Sequence, residues 1–436
     1  MHISLDSALG RQRRLNSVGE SVLQIAPNAA AAYSLRSLTG GDPQVVRVRR
    51  GSDNAERDFT ASGVTSGALT SFVNEDVTIY QSDFSAGVNG FNATSTTTAT
   101  GNQDGVSDSA GTSKDNVLKV VKAADAQGYI QRDQGVVAGL TYTVSGSFLA
   151  PSANTSVDGI MIKDGLAGSS LSDYPSGYLV SDGTWKDFSF SYTAASDGNQ
   201  RVQLGISSLG SNPNSSSTGS SGDIVYIADL KFVETISNGF VETWYDQSGN
   251  SNDAVQETAG SQPKIVNAGS LISKGLDFDG TDDFLQLDAA LGATNAQSIF
   301  GVVELNALDG SNELILDNRD GSGDGSAYFA ASNQFRYLFD SNSPLAQLSA
   351  STDTSLVSAF KTSSDVAIGI DGGTLDTASN TETLSVTTVP RIGSRSFSSG
   401  ALFFAGEIAE LVLYNTDKSA DRTAVETNIN SHYSIF

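Results

Sequence analysis

Residues 244–256 read WYDQSGNSNDAVQ. Strand alternation over 240–245 places Trp244 on one face and Tyr245 on the other. The Asp-Gln-Ser-Gly-Asn run that follows is built of turn formers, and an Asp side chain there can accept from backbone N–H groups two residues on. Asp246 is therefore read as closing a loop rather than doing chemistry. A matching pattern lies far upstream. VVRVRR (45–50) sets Val46 and Val48 against Arg47 and Arg49, the period of a strand with one buried face. Arginines covered on the second face need carboxylates, and Asp53, Asp58 and Asp246 are the available ones, with Asp246 read as a partner for Arg47 or Arg49.

Working outward, strand segments separated by turn residues fill the chain. Between the two patterns lie NVLKVVKA, YIQRDQGV, LTYTVSGSFLA, WKDFSFSYTA, RVQLGIS and IVYIADLKFVE, with the low-complexity run SSLGSNPNSSSTGSSGD at 207–223. After 244 come KGLDFDG, SIFGVVEL, ELILDNRD, QFRYLFD, DVAIGIDG and EIAELVLYN. Regularly spaced strands of this kind predict an all-β chain of two antiparallel β-sandwiches. One helix closes it: Val425, Ile429 and Tyr433 share a helical face, with Ser419 or Asp417 as caps.

The chain has 436 residues, more than one typical core accommodates. A net charge of −24 repels a phosphate backbone, which argues against nucleic-acid binding. No stretch approaches the roughly 18 apolar residues that span a bilayer. There is no cysteine, so disulfides and thiolate metal sites play no part. His2 and His432 are the only histidines and are read as solvated or structural. The first twenty residues lack the apolar core of a secretory signal, and a protein acting outside the cell would leave by lysis. Arg11, Arg13 and Arg14 form a short basic arm (1–27), read either as a solvated tail or as a docking peptide.

Two blocks carry a resemblance. YSLRSL…VVRVRRGSDNAERDF (33–59) and WYDQSGNSNDAVQ, with Arg47, Arg49, Asp53, Trp244, Asp246 and Asn250 as their marked residues, resemble paired motifs in the concanavalin-like domain of arabinofuranosidase B. They resemble even more a group of phage and prophage structural proteins that carry this domain. GLDFDGTDDFLQLD (275–288) and the 403–435 segment resemble the laminin-G-like pattern. Residues 77–236 separate the blocks and resemble a jelly-roll carbohydrate-binding module, on WKDF (185–188) and IVYIADLKFVE (224–234). The resemblance implies a discontinuous concanavalin-like sandwich of 28–76 and 237–436 with a module inserted at a loop tip, where insertions are tolerated. No counterpart of the enzyme's catalytic carboxylates can be placed, and its pocket cysteines cannot exist here.

The site candidates are modest. Asp320, Ser322 and Asp324 in DNRDGSGDGSAY alternate like the first half of a calcium loop, but Ala331 stands where the bidentate Glu belongs. An acidic hairpin is the favoured account, and a structural calcium is the only cofactor suggested. Asp229 matches an acidic position near calcium in related modules. Tyr174, Tyr178 and Trp185 in the insert, and Tyr328, Phe335 and Tyr337 in the larger domain, are aromatic platforms for sugar, with core packing as the alternative for each.

The expectation is a virion structural protein: a tail fibre, head fibre or capsid decoration, docked to other virion proteins by its arm. It would bind host-surface polysaccharide, with a trimer as the assembly. A virion-associated hydrolase and a purely architectural cement protein are the alternatives.

Overall fold

The structure, a computed structural model, describes residues 19–93, 97–123, 128–166, 178–207, 220–292, 294–321, 324–340, 345–384, 388–397 and 402–436, with backbone alone at 161–166, 178 and 205–207. The chain divides into two compact units: Met1–Val73 with Asn238–Phe436, and Asn74–Ser237. Both are antiparallel β throughout. Among the described residues no helix is long and apolar enough to cross a membrane.

The larger unit is organised by the Ala405–Tyr414 strand. It pairs with Ala31–Ser34, with Leu276–Asp279 and with Gln297–Leu305. Gln44–Arg50 pairs with Glu56–Thr60 on one side and with Gly239–Trp244 on the other. The strand before the insertion is thus hydrogen-bonded directly to the strand after it, with Arg50 opposite Gly239 and Val46 opposite Trp244. Val46, Val48, Phe59, Phe72 and Val73 share one apolar cluster with Val241, Trp244, Leu276, Leu285, Ile408 and Leu411. Burying an aliphatic or aromatic side chain of this size stabilises by about 1.5–3 kcal/mol, so the cluster binds the two sequence halves into one body. Gly239 sits where neighbouring valine side chains leave no room: a Cβ there would lie 2.9 Å from Val73 Cγ2 and 3.2 Å from Val48 Cγ1.

The helix Arg422–Tyr433 covers the outside of this sheet. Val425 and Ile429 are fully buried against Val22, Phe300, Leu356, Phe360 and Val412. Its start differs from the sequence expectation. Asp421 is the residue before the helix, and neither Asp417 nor Ser419 caps it; Asp417 Oδ1 instead accepts from Ser419 N at 2.9 Å, shaping the 3₁₀ turn Ser419–Asp421.

The smaller unit is a sandwich of two sheets. One runs Lys186–Thr193, Thr141–Leu149, Ile224–Ile236, Val117–Lys122, Thr97–Gln103. The other runs Tyr178–Val180, Gly159–Leu166, Gly198–Ser207, Gly128–Val136, Asn92–Ala93. Val144, Phe148, Phe188, Phe190 and Ile227 from the first meet Ile130, Ile160, Val202 and Leu204 from the second. This alternation fixes which residues face out: on the second sheet they are the odd-numbered positions 129–133 and 201–205.

Candidate functional site

The WYDQSGN motif is a clasp. The Asp246 carboxylate accepts from Ala32 N at 2.8 Å, Ser248 N at 2.8 Å, Ser248 Oγ at 2.6 Å and Asn252 N at 3.1 Å. Gln247, buried, accepts from Leu38 N at 2.7 Å and donates to Ser34 O and Arg36 O, both at 2.9 Å. Asn250 Nδ2 donates to Ala29 O at 2.8 Å. Each Asp246 oxygen thus accepts two hydrogen bonds, which hold the carboxylate as the centre of the loop.

The arginine partners follow the expectation at Asp58 and depart from it at Asp246. Asp246 pairs with neither Arg47 nor Arg49. Arg47 forms a two-pronged pair with Asp58, at 2.7 and 3.2 Å, which also accepts from Tyr245 OH at 2.8 Å. Asp53 serves Arg50, at 2.9 and 3.0 Å. Arg49 reaches Gln262, Asn54 and the Ala259 carbonyl and lies over the Phe240 ring. Trp244 is buried and Tyr245 half-buried, Asp58 faces Arg47 in strand register, and a bulge between Val241 and Thr243 lets Val241 and Trp244 both reach the core.

The proposed platforms of the larger unit are core residues. Tyr328, Tyr337 and Phe335 are each 0% exposed. Tyr337 OH donates to Gln297 Oε1 at 2.9 Å, and Tyr328 packs on Phe335. Both faces of their strands are covered, so no ring is open to a sugar. In the smaller unit, Tyr174 lies outside the described residues. Tyr178 is placed by its backbone, opposite Met161 in the second sheet. Trp185 is half-buried. Its backbone N–H donates to Asp108 Oδ2, its indole Nε1 is buried with no hydrogen-bond partner, and the Lys114 ammonium stands over its ring at 5.5 Å, so that face is taken. Beside it is an open cleft of about 580 Å³ lined by Gln103, Asp104, Ser107, Asp108 and Tyr226 among others. Its acids are engaged in the loops: Asp108 accepts from Trp185, Ala110 and Thr112 amides, and Asp104 from Asn116 N.

The outward face of the second sheet was missed by the sequence reading. Half-exposed Tyr129 and Gln131 and exposed Asp133 stand in a row on Gly128–Val136. The register sets Gly205, Gln203 and Arg201 opposite them, and exposed Asn92 opposite Gln131 on the other side. Gln203 Nε2 donates to Gln131 Oε1 at 2.9 Å, and Arg201 grips Asp133 at 2.7 and 2.9 Å. The guanidinium holds the Asp133 carboxyl below its ordinary range. Three side-chain amides, from Asn92, Gln131 and Gln203, therefore cross three adjacent strands at the roughly 4.8 Å strand spacing, next to an aromatic ring that faces a glycine. The signal lay in YIQRDQGV and RVQLG, whose odd positions are amide, charged or aromatic while Ile130, Val202 and Leu204 point in.

The metal candidates are dispersed. Ser322 lies outside the described residues, and Asp320 N donates to Asp324 O at 2.9 Å, closing the hairpin. Asp229 pairs with Lys114 at 2.6 Å rather than joining other acids. Among the described residues the carboxylates that converge are Asp279, Asp282 and Asp283, within 4.8 Å of one another. Burial, chiefly, and its acidic neighbours push Asp283 up to about 7. Asp279 also borders a cleft of about 460 Å³ with Asp309, Glu313 and Phe403, but buried Asp283 is not part of that lining. Arg11, Arg13 and Arg14 lie outside the described residues, as does His2. His432 is exposed on the terminal helix, its ring 4.6 Å from that of Tyr433.

No known protein-family model and no curated protein matches the chain. Among solved structures, the CBM22-1 xylan-binding domain from Paenibacillus barcinonensis Xyn10C is 9% identical over 37% of this chain and 97% of that one, with a TM-score of 0.29. The CBM22-1–CBM22-2 tandem domain of the same protein is 9% identical over 79% of this chain and 98% of that one, TM-score 0.30. Trypanosoma rangeli sialidase in complex with sialic acid is 11% identical over 72% of this chain and 61% of that one, TM-score 0.33. Scores this low do not separate kinship from the shared habits of β-sandwiches, so the fold assignment rests on strand pairing and burial.

Proposed function

We propose that this chain is a non-catalytic polysaccharide-binding protein of a virion surface, and that its inserted sandwich holds glycan on the outward face of the Gly128–Val136 and Gly198–Ser207 strands. The observation that carries the binding half is the amide row Asn92–Gln131–Gln203 beside half-exposed Tyr129. Saccharides are held by an aromatic face under C–H groups together with fixed hydrogen-bonding amides. The Gln131–Gln203 bond orients both amides beforehand, which lowers the entropy cost of binding. The ligand class is a neutral polysaccharide, because Arg201, the arginine among the described side chains of this face, is already paired with Asp133.

The virion half rests on the split motif resemblance of 33–59 and 244–256. It assigns the basic arm at 11–14 to docking on a capsid or tail protein, with many copies raising weak affinity by avidity. The trimer and a structural calcium belong to the same reading. The test is affinity electrophoresis of the full chain in gels carrying neutral polysaccharides such as xylan, β-glucan and mannan. Retardation by at least one, lost in Tyr129→Ala and in Gln131→Ala/Gln203→Ala, supports the reading. Migration unaffected by all of them, or variants that bind like the wild type, overturns it. Release of reducing sugar that Asp283→Asn abolishes would replace binding with hydrolysis.

A further inference from the structure

We infer that the larger unit carries a second, separate site, formed by Arg391 and Arg395, that binds the carboxylate of an acidic saccharide. The starting point is charge. In a chain of net −24, a cation without an acidic partner is out of keeping with its surroundings. Arg47, Arg50, Arg201, Arg319 and Arg422 all pair with carboxylates. Arg49, Arg132 and Arg336 also lack a carboxylate and bond amide or carbonyl oxygens instead; among the described residues Arg391 and Arg395 likewise pair with none, and these two lie side by side.

Arg391 lies on the short strand Arg391–Ile392, between Leu285–Leu287 and Glu313–Asp317. Its Nε donates to Gln286 Oε1 at 3.2 Å, and its guanidinium lies over the Phe284 ring at 4.5 Å. Burial lowers its pKa and no carboxylate offsets that. Arg395 follows in the next turn, its guanidinium over the Phe397 ring at 5.1 Å and its Nε buried with no hydrogen-bond partner. The backbone joins the two: Arg391 Nη1 reaches Arg395 O at 3.4 Å. The acid that could have served them does not. Asp317 stands opposite Arg391 in register, yet it is fully buried and occupied by Arg319 Nε at 2.5 Å, Ser396 N at 2.8 Å and Ser396 Oγ at 3.0 Å.

Two half-buried guanidinium groups are therefore held by aromatic faces, with N–H groups to spare. A guanidinium fork matches a planar carboxylate in two parallel hydrogen bonds. The negative field of the whole protein opposes a bare polyanion, so recognition depends on this local geometry rather than on general attraction. The site differs in unit, charge and ligand class from the amide row of the inserted sandwich.

The experiment uses the full chain in affinity electrophoresis against polygalacturonate, its fully methyl-esterified form and dextran sulfate. Retardation by polygalacturonate, absent with the ester, is the expected result. Arg391→Gln/Arg395→Gln should weaken it by roughly tenfold or more, and thermal unfolding shows whether that variant is folded. Should it unfold, Arg395→Lys serves instead: it keeps the charge, loses the fork and binds more weakly than wild type. Tyr129→Ala should leave this retardation unchanged while abolishing binding to neutral glycan, so the two readings fail separately. Wild-type chain that ignores polygalacturonate, binds the ester equally, prefers dextran sulfate, or is matched by the double variant overturns the assignment.

Discussion

Asp283 allows a stability measurement to test the burial argument directly. It sits in the turn between Leu276–Asp279 and Leu285–Leu287, 6% exposed, with Asp279 N donating to its Oδ2 at 3.0 Å. Burial first, then Asp279, Asp282 and Asp277, raise its pKa from 3.8 to about 7. The folded state therefore keeps a proton between those values that the unfolded state has lost. Stability from this group is complete below pH about 4 and drains away as pH rises through about 7. The difference of about 3 pH units, at about 1.4 kcal/mol each, amounts to about 4 kcal/mol by pH 8. Asp283→Asn removes the ionisation while keeping an oxygen to accept from Asp279 N. The variant should match wild type near pH 3, lead by about 1 kcal/mol at pH 4.5 and exceed it by up to about 4 kcal/mol at pH 8. Urea titration in a Trp185→Phe background leaves Trp244 as the sole indole, so fluorescence follows the larger unit alone. A gap between the proteins that stays constant with pH, or a variant less stable at pH 8, refutes the reasoning.

Other outcomes follow from the same structure. Asp246→Ala strands four donors, three of them backbone amides, and should destabilise the larger unit by about 2–4 kcal/mol, read from the Trp244 transition. Gly239→Val forces a side chain against Val73 and Val48 and should lower the same transition, with the smaller unit's melting unchanged. Asp223 is held near 2 despite burial, because the amides of Thr155, Val157 and Ser156 outweigh the desolvation. Its contribution, present above pH about 4, should disappear as pH falls through about 2, and Asp223→Asn should flatten that acid limb in circular dichroism. Tyr129→Ala should abolish retardation by neutral polysaccharide without shifting either melting transition.

The legible part of the chain was what alternation encodes. VVRVRR shows its inward Val46 and Val48, while the bulge between Val241 and Thr243 that brings both Val241 and Trp244 into the core is not visible in FVETWY. In Ser326–Ala331 and Gln334–Phe339 nearly every side chain is covered, so alternation does not distinguish a core tyrosine from an exposed one, and Tyr328 and Tyr337 were taken for platforms. Asp246 was read correctly as a loop-closing residue from its turn-forming neighbours. Its bond to Ala32 N spans 214 positions, and no local pattern announces a partner that distant. The Asn92–Gln131–Gln203 row is a product of register across three strands, which no single strand contains. Arg391 and Arg395 left a trace in RIGSRSF, two arginines with no acid between them, but its meaning depends on Asp317 being spent elsewhere.

Val73 and Gly239 touch, and Ser237 N lies 3.4 Å from Asn74 Oδ1. The insertion therefore departs and returns through a single doorway whose frame is completed by the strands of the larger unit themselves. Such a doorway makes the segment 74–237 exchangeable: any chain whose two ends meet can replace it without altering the strand pairings that frame it.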